Sequence, residues 1–316
     1  MAGKFARRSL LGGTIGGIGA LGAALAWNWN RIPFGFVKQY WAEWDREIMM
    51  PVKTPDPKNW PDKGIHAAWL GHSTVLMKID GVTVLTDPVF SSRAGIDLFL
   101  FTIGVKRLVD PALDVKKLPH IDLILVSHAH MDHLDVPSLR ALENKGTRLI
   151  TARETSDLFR PSRWRSLREL GWNEVTQAGA ARVTGLEVNH WGARLRTDTQ
   201  RGYNGYLVQV GARQVLFAGD TAITDSFRRL PGNAKPDVAI FPIGAYNPWI
   251  RYHCNPEQAW GMVNEARAEV VLPVHHQTFA LSREPLVEPI ERFYAAAGAA
   301  DQRIGWQDIG ATFHWS

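Results

Sequence analysis

The sequence predicts an α/β domain, and three observations carry that prediction. An apolar run at residues 121–126 reads as a buried strand, and Pro137 then opens a helical segment through residue 143. Short strand patterns stand on both sides of it, at 67–70, 75–79 and 82–86 before it, and at 182–188, 205–210, 214–218, 238–241 and 270–273 after it. Helical spacing appears at 162–170, 256–266 and 285–297. Strands followed by helices, twice over, suit two sheets packed face to face with helices outside. The pattern alone says no more than α/β.

The first strands form a meander, with Asp80-Gly81 as a hairpin turn. The strand at 121–126 runs straight into His128-Ala129-His130-Met131-Asp132-His133. Three imidazoles and a carboxylate within six residues make a poor core and a good seat for divalent metal. The stretch lies where a strand ends and a helix begins, a usual place for chemistry in α/β proteins. Further candidate donors recur at strand ends: His190, Asp220 behind the permissive Gly219, and the adjacent pair His275 and His276. Side chains alternate near a strand end, so only one of that pair can face the site.

Composition sets the bounds. A chain of 316 residues, 45% hydrophobic and 21% charged, can bury a substantial core. Of 36 basic and 31 acidic residues, three basic ones (Lys4, Arg7, Arg8) stand at the N-terminus, leaving 33 against 31. That balance, with no basic run interleaved with aromatics, argues against a nucleic-acid partner. Cys254 is the single cysteine, so no internal disulfide exists.

Three regions follow. Residues 1–31 read as a signal or membrane anchor: a basic start precedes an uncharged run rich in Gly, Ala and Leu from Ser9 to Asn30. Ala6-Arg7-Arg8-Ser9-Leu10-Leu11 resembles a twin-arginine export signal with Ala24-Leu25-Ala26 as a cleavage site, while Trp27, Trp29 and Arg31 suit the interfacial belt of a retained anchor. Either way the catalytic domain is expected in the cell envelope, exported or held on the periplasmic side of the inner membrane. Residues 32–62 give an amphipathic pattern (Phe34, Val37, Trp41, Trp44, Ile48) and then a linker marked by Pro51, Pro55, Pro57 and Pro61. Its stripe serves core packing and a membrane interface equally well. Residues 63–316 form one domain, which carries the histidine motif.

The histidine motif resembles the signature of the metallo-β-lactamase superfamily. The surroundings resemble the branch of N-acylphosphatidylethanolamine-hydrolysing phospholipase D and its bacterial relatives. The matching stretches include Trp69-Leu70-Gly71-His72-Ser73-Thr74, Leu85-Thr86-Asp87-Pro88-Val89-Phe90-Ser91-Ser92-Arg93-Ala94, Asn189-His190-Trp191, Phe217-Ala218-Gly219-Asp220-Thr221, Pro242-Ile243-Gly244-Ala245-Tyr246, His253-Cys254-Asn255-Pro256-Glu257-Gln258-Ala259 and His275-His276-Gln277-Thr278-Phe279-Ala280-Leu281, in one consistent order. The resemblance implies an αββα sandwich of two mixed sheets. It implies two zinc ions, one on His128, His130 and His190, the other on Asp132, His133 and His275, with Asp220 bridging; iron or manganese fits the same donors. It picks His275 over His276.

The activity implied is that of a phospholipase D-type phosphodiesterase acting on N-acylphosphatidylethanolamine-like phospholipids at a membrane surface, through a metal-bridging hydroxide. Asp132, Asp220 and His253 are the expected catalytic groups, His253 as a donor to a phosphate oxygen. A lactonase or other carbonyl hydrolase is the alternative, and a homodimer is left open. Asp87 is read as a brace for the metal ligands, Arg93 as a tie between loops rather than a phosphate contact, and His72 as structural or as a support behind the metal ligands, with the structural role preferred. Tyr246, Trp249, Ile250 and Tyr252 suit an acyl groove or packing equally.

Overall fold

The computed structural model describes residues 40–98, 101–195 and 197–316. In chain order the strands are β1 (Ile65–Gly71), β2 (Thr74–Ile79), β3 (Val82–Thr86), β4 (Arg93–Asp97), β5 (Thr102–Lys106), β6 (Leu123–Val126), β7 (Arg148–Ala152), β8 (Ser166–Leu170), β9 (Val175–Ala178), β10 (Ala181–Leu186), β11 (Gly205–Val210), β12 (Arg213–Phe217), β13 (Val238–Pro242), β14 (Val270–Val274) and β15 (Thr312–Trp315). Among the described residues, apart from the helical residues 40–42, the α-helices are α1 (Val136–Ala141), α2 (Pro256–Glu265) and α3 (Glu288–Ala297).

Seven strands make one sheet in the order β15-β1-β2-β3-β6-β7-β8, and six make a second in the order β14-β13-β12-β11-β10-β9, while β4 and β5 pair separately. Both large sheets are mixed. In the first, β1 to β3 are antiparallel and β3, β6, β7 and β8 are parallel. In the second, β9 to β12 are antiparallel, and β12, β13 and β14 are parallel. This is the expected αββα sandwich.

Strand periodicity divides the second sheet between two cores. Val208, Val215, Phe217, Ile240 and Leu272 face the first sheet and share a buried cluster with Trp69, Leu76 and Ile124. Their alternates Leu207, Leu216, Phe241 and Val271 face outward onto Trp260 and Val263 of α2 and Phe293 of α3. A capping box starts α2: Asn255 accepts from the Gln258 backbone while the Gln258 side chain returns to the Asn255 N–H. The Asp80-Gly81 hairpin has positive φ at both turn residues, 41° and 86°.

Two expectations need correction. Residues 162–170 are not a helix. Pro161–Arg163 is a single 3-10 turn, and β8 then pairs with β7 from Arg148↔Ser166 to Ala152↔Leu170. Helical spacing over nine residues is weak, and the open edge of β7 offers a full row of hydrogen-bond partners. The amphipathic segment is helical only at 40–42 within the described residues, with a turn at 43–45 and an extended run to Met49, which bridges to Val109. Phe34 and Val37, like the signal or anchor expected at 1–31, lie outside the described residues. What orients the segment is polar: the Glu43 carboxylate accepts from the Lys106 N–H at 2.7 Å, and Arg46 donates to the Lys106 and Arg107 carbonyls. Trp41 and Trp44, stacked at 5.8 Å, are left 68% and 56% exposed. Among the described residues no helix is long and apolar enough to cross a membrane.

Candidate metal centre

Strand ends deliver the site residues to one edge of the sandwich. β6 leads to His128, β10 to His190, β12 to Asp220 and β14 to His275. Ligands gather outside the carboxyl ends of strands because loops there can vary while the sheet holds their roots. Gly219 is needed for this: its φ is +61°, and a Cβ there would lie 2.6 Å from the Asn204 carbonyl and 2.9 Å from Ser127 Cβ.

Three imidazole nitrogens converge first. His130 Nδ1 lies 2.8 Å from His128 Nε2 and 3.2 Å from His190 Nε2. The tautomers are set from behind. Ser127 Oγ donates to Asp87 Oδ2 at 2.6 Å, so His128 Nδ1–H donates to that hydroxyl at 2.8 Å; His190 Nδ1–H donates to the Tyr252 carbonyl at 2.8 Å. The inward-facing nitrogens of His128 and His190 therefore carry lone pairs. Burial holds His128 well below the ordinary imidazole pKa, and brings His130 to about 3 and His190 to about 4.

A second seat lies beside the first. His133 Nε2 is 3.2 Å from His275 Nε2, 3.1 Å from Asp220 Oδ2 and 3.4 Å from Asp132 Oδ2. His275 Nε2 is 3.0 Å from Asp220 Oδ2 and 3.6 Å from Asp132 Oδ2. Asp220 Oδ2 also comes within 4.0 Å of His128 Nε2 and 3.8 Å of His190 Nε2, so it stands between the seats. Burial would raise both carboxylates, but His133 with its neighbours holds Asp132 and Asp220 well below the usual range. Burial would lower His133 and His275, yet Asp220 and Asp132 raise both, His275 to about 9.

These donors fit divalent metal. The lone pairs of His128 and His190 converge on one point, and Asp220 Oδ1 is buried without a hydrogen-bond partner. Among the described residues, the groups that could hold an ion are His128, His130 and His190; His128, His133 and Asp220; His72, Asp132, His133 and His275; and His190, Asp220 and His253. All seven sequence-identified ligand candidates thus meet in one place. His253 is beside them, its Nδ1 3.8 Å from Asp220 Oδ2 and without a partner. His276 turns away, its ring 4.6 Å from that of Trp69.

Several neighbours differ from their sequence reading or escape it. Of the two readings of His72, the geometry matches the support behind the ligands: its Nε2 lies 2.9 Å from Asp132 Oδ2. Arg93 ties the β4–β5 pair to the segment at 40–46, donating to the Gly104 carbonyl and lying 4.2 Å over the Tyr40 ring. Asp87 braces His133 and, through Ser127, His128. Ser127 carried no signal apart from its place before the motif. Trp191 packs edge-on against His130 at 4.6 Å while 45% exposed. Tyr246 is buried, its hydroxyl on Glu288, whereas Trp249, Ile250 and Tyr252 are exposed.

Comparison with known proteins agrees with the geometry. The family model described as a beta-lactamase superfamily domain matches residues 82–276. An uncharacterised protein of Mycobacterium tuberculosis is 32% identical over 78% of this chain and 68% of its own length. The N-acyl-phosphatidylethanolamine-hydrolyzing phospholipase D 1 of Caenorhabditis elegans is 30% identical over 73% of this chain and 69% of its own. A metallo hydrolase from the archaeon Ignicoccus hospitalis superposes with a TM-score of 0.61 at 21% identity, covering 80% of this chain and 99% of that one. The chain belongs to the metallo-β-lactamase superfamily. It is a metal-dependent hydrolase of that family.

Proposed function

We propose that the protein is a binuclear zinc phosphodiesterase of phospholipase D type, cleaving N-acylphosphatidylethanolamine-like phospholipids at a membrane surface. The observation that carries the lipid reading is the apolar rim of the metal centre. Trp191 stands on His130, and Tyr252, whose carbonyl orients His190, packs 5.8 Å from Trp191. Trp249 reaches across to the Leu281 carbonyl at 3.3 Å, and Leu281 lines a cavity of about 220 Å³ that opens beside His275. Such a rim favours acyl chains over a sugar or a free phosphate. The C. elegans relative, named for hydrolysis of this lipid class, supports the same substrate.

His128, His130 and His190 would hold one ion, Asp132, His133 and His275 the other, with Asp220 shared. Bound zinc supplies a water of near-neutral pKa and offsets charge on the phosphoryl oxygens. The chain's own part is orientation. Asp132 and Asp220 fix the seats, and burial keeps His253 neutral, so that its ring N–H can donate to a phosphoryl oxygen. Trp191 covers His130 from outside, and the Tyr252 ring packs against Trp191. Membrane association rests on the uncharged run before residue 31 and on the outward Trp41 and Trp44. We place the catalytic domain in the cell envelope on the same grounds.

The rim is tested by Trp191→Ala and Tyr252→Ala, assayed on a long-chain lipid and on a small water-soluble phosphodiester. Loss of lipid turnover alone, tenfold or more, supports a lipid rim. Equal loss on both substrates makes the pair a brace for His130 and His190 and removes the structural support for a lipid.

A further inference from the structure

Four of the site's side chains have a partner behind them, and His72 is the partner of Asp132. It follows Gly71 in the turn after β1, 1% exposed and with φ +53°, a conformation that L-residues adopt only when held. The holding is explicit. Its backbone N–H donates to Thr278 Oγ1 at 2.6 Å, and its carbonyl accepts from Trp69 Nε1 at 2.8 Å and from the His275 N–H at 3.1 Å. The backbone of His72 is thus tied to the loop that carries one ligand of the second seat. Its side chain reaches another: Nε2 lies 2.9 Å from Asp132 Oδ2. That oxygen is the one that faces His133 Nε2 at 3.4 Å and His275 Nε2 at 3.6 Å. The His72 ring is itself clamped, 4.1 Å from the His275 ring and edge-on to Phe279 at 5.2 Å.

A buried imidazole facing a carboxylate presents its N–H. We propose that His72 is a positioning residue for Asp132, donating from Nε2 to Oδ2 and so fixing the carboxylate oxygen that completes the second metal seat. It acts as a donor and not as a ligand. The arrangement parallels Asp87 behind His133 and the Tyr252 carbonyl behind His190, with donor and acceptor reversed because the ligand is an anion. The proposal rests on the two-ion reading of the site.

Metal stoichiometry tests it without recourse to activity. The full chain is stripped of metal and titrated with zinc against a chromophoric chelator, as wild type and as His72→Gln, His72→Phe and His72→Asn. The Gln amide can stand where Nε2 stands. Phe fills the space without a donor, and Asn, which tolerates positive φ, falls short of Asp132. Wild type is expected to take two equivalents, and His72→Gln to keep both within about threefold. His72→Phe and His72→Asn should keep the first equivalent and bind the second about 10- to 100-fold more weakly, the usual loss when an outer hydrogen bond to a metal ligand is removed. Should the Phe variant not fold, the smaller Asn variant carries the same expectation. If both hold the second ion as wild type does, the assignment falls while the two-ion reading stands. If Gln loses as much as Phe, His72 is a ligand and the donor role is wrong. If wild type takes fewer than two ions, the two-ion reading fails and this assignment with it.

Discussion

Asp87 Oδ2 accepts from His133 Nδ1 at 2.7 Å, and neither side chain has any exposed surface. The same oxygen takes the Ser127 hydroxyl at 2.6 Å, and Ser127 in turn receives His128 Nδ1–H. One carboxylate that touches no ion therefore sets the ring orientation of a histidine in each seat. Asp87→Ala is expected to weaken both equivalents of zinc by about 10- to 100-fold each. Ser127→Ala should weaken only the seat that depends on His128. Chelator competition on the two variants checks this, and equal losses in both would contradict it.

Gly219 carries a steric prediction. With positive φ and a Cβ that would press on the Asn204 carbonyl and Ser127 Cβ, Gly219→Ala must displace the Asp220 loop or the motif loop. A loss of about 1–3 kcal/mol in unfolding free energy is expected, as for other small-to-large changes in packed sites. Denaturant melts of the metal-free protein measure it.

The two seats should differ in pH dependence. His128, His130 and His190 sit below the ordinary imidazole pKa, so they are already unprotonated near neutrality, and a metal entering there displaces no proton. His133 and His275 are raised by their carboxylate neighbours, His275 to about 9, so in the metal-free protein they hold protons that an ion must expel. Affinity of the second seat should therefore climb with pH until it passes about 9, by about tenfold per unit for each proton displaced, while the first stays flat between about pH 6 and 8. Stepwise zinc titrations across that range test the asymmetry.

Trp41 and Trp44 make a prediction independent of the metals. Glu43 and Arg46 pin the segment to β5 and the residue after it, leaving both indoles outward. Trp41→Ala with Trp44→Ala should lower partitioning of the protein onto lipid vesicles several-fold, with turnover of a soluble phosphodiester unchanged. Unchanged partitioning would assign the pair no role at the membrane.

Legibility of the molecule in its sequence followed the range of the interactions. β6, the metal loop and α1 are readable because an apolar run, a histidine pattern and Pro137 lie within about twenty consecutive residues. β3 and β11 are readable to the residue for the same local reason. β8 is misread because its hydrogen-bond partners lie in β7, beyond any local pattern. β15 lacks a signal since it is only half-buried and pairs with β1 across nearly the whole chain. At the site, ligand types and spacing show in the sequence. The pairing of His72 with Asp132 over 60 positions, and of Asp87 with His133 over 46, does not. Such partners become visible only when strand ends are brought to one edge.

Release of an N-acylethanolamine and phosphatidic acid from an N-acylated phosphatidylethanolamine is the most direct test of the account. The zinc-loaded full chain in mild detergent is assayed beside a panel of lactones, with Asp220→Asn as control. The account predicts lipid cleavage by the wild type, its loss by at least two orders of magnitude in Asp220→Asn, and little turnover of lactones. Lactone opening without lipid cleavage by a protein that binds two ions would contradict the phosphodiesterase reading and leave the metal centre in place.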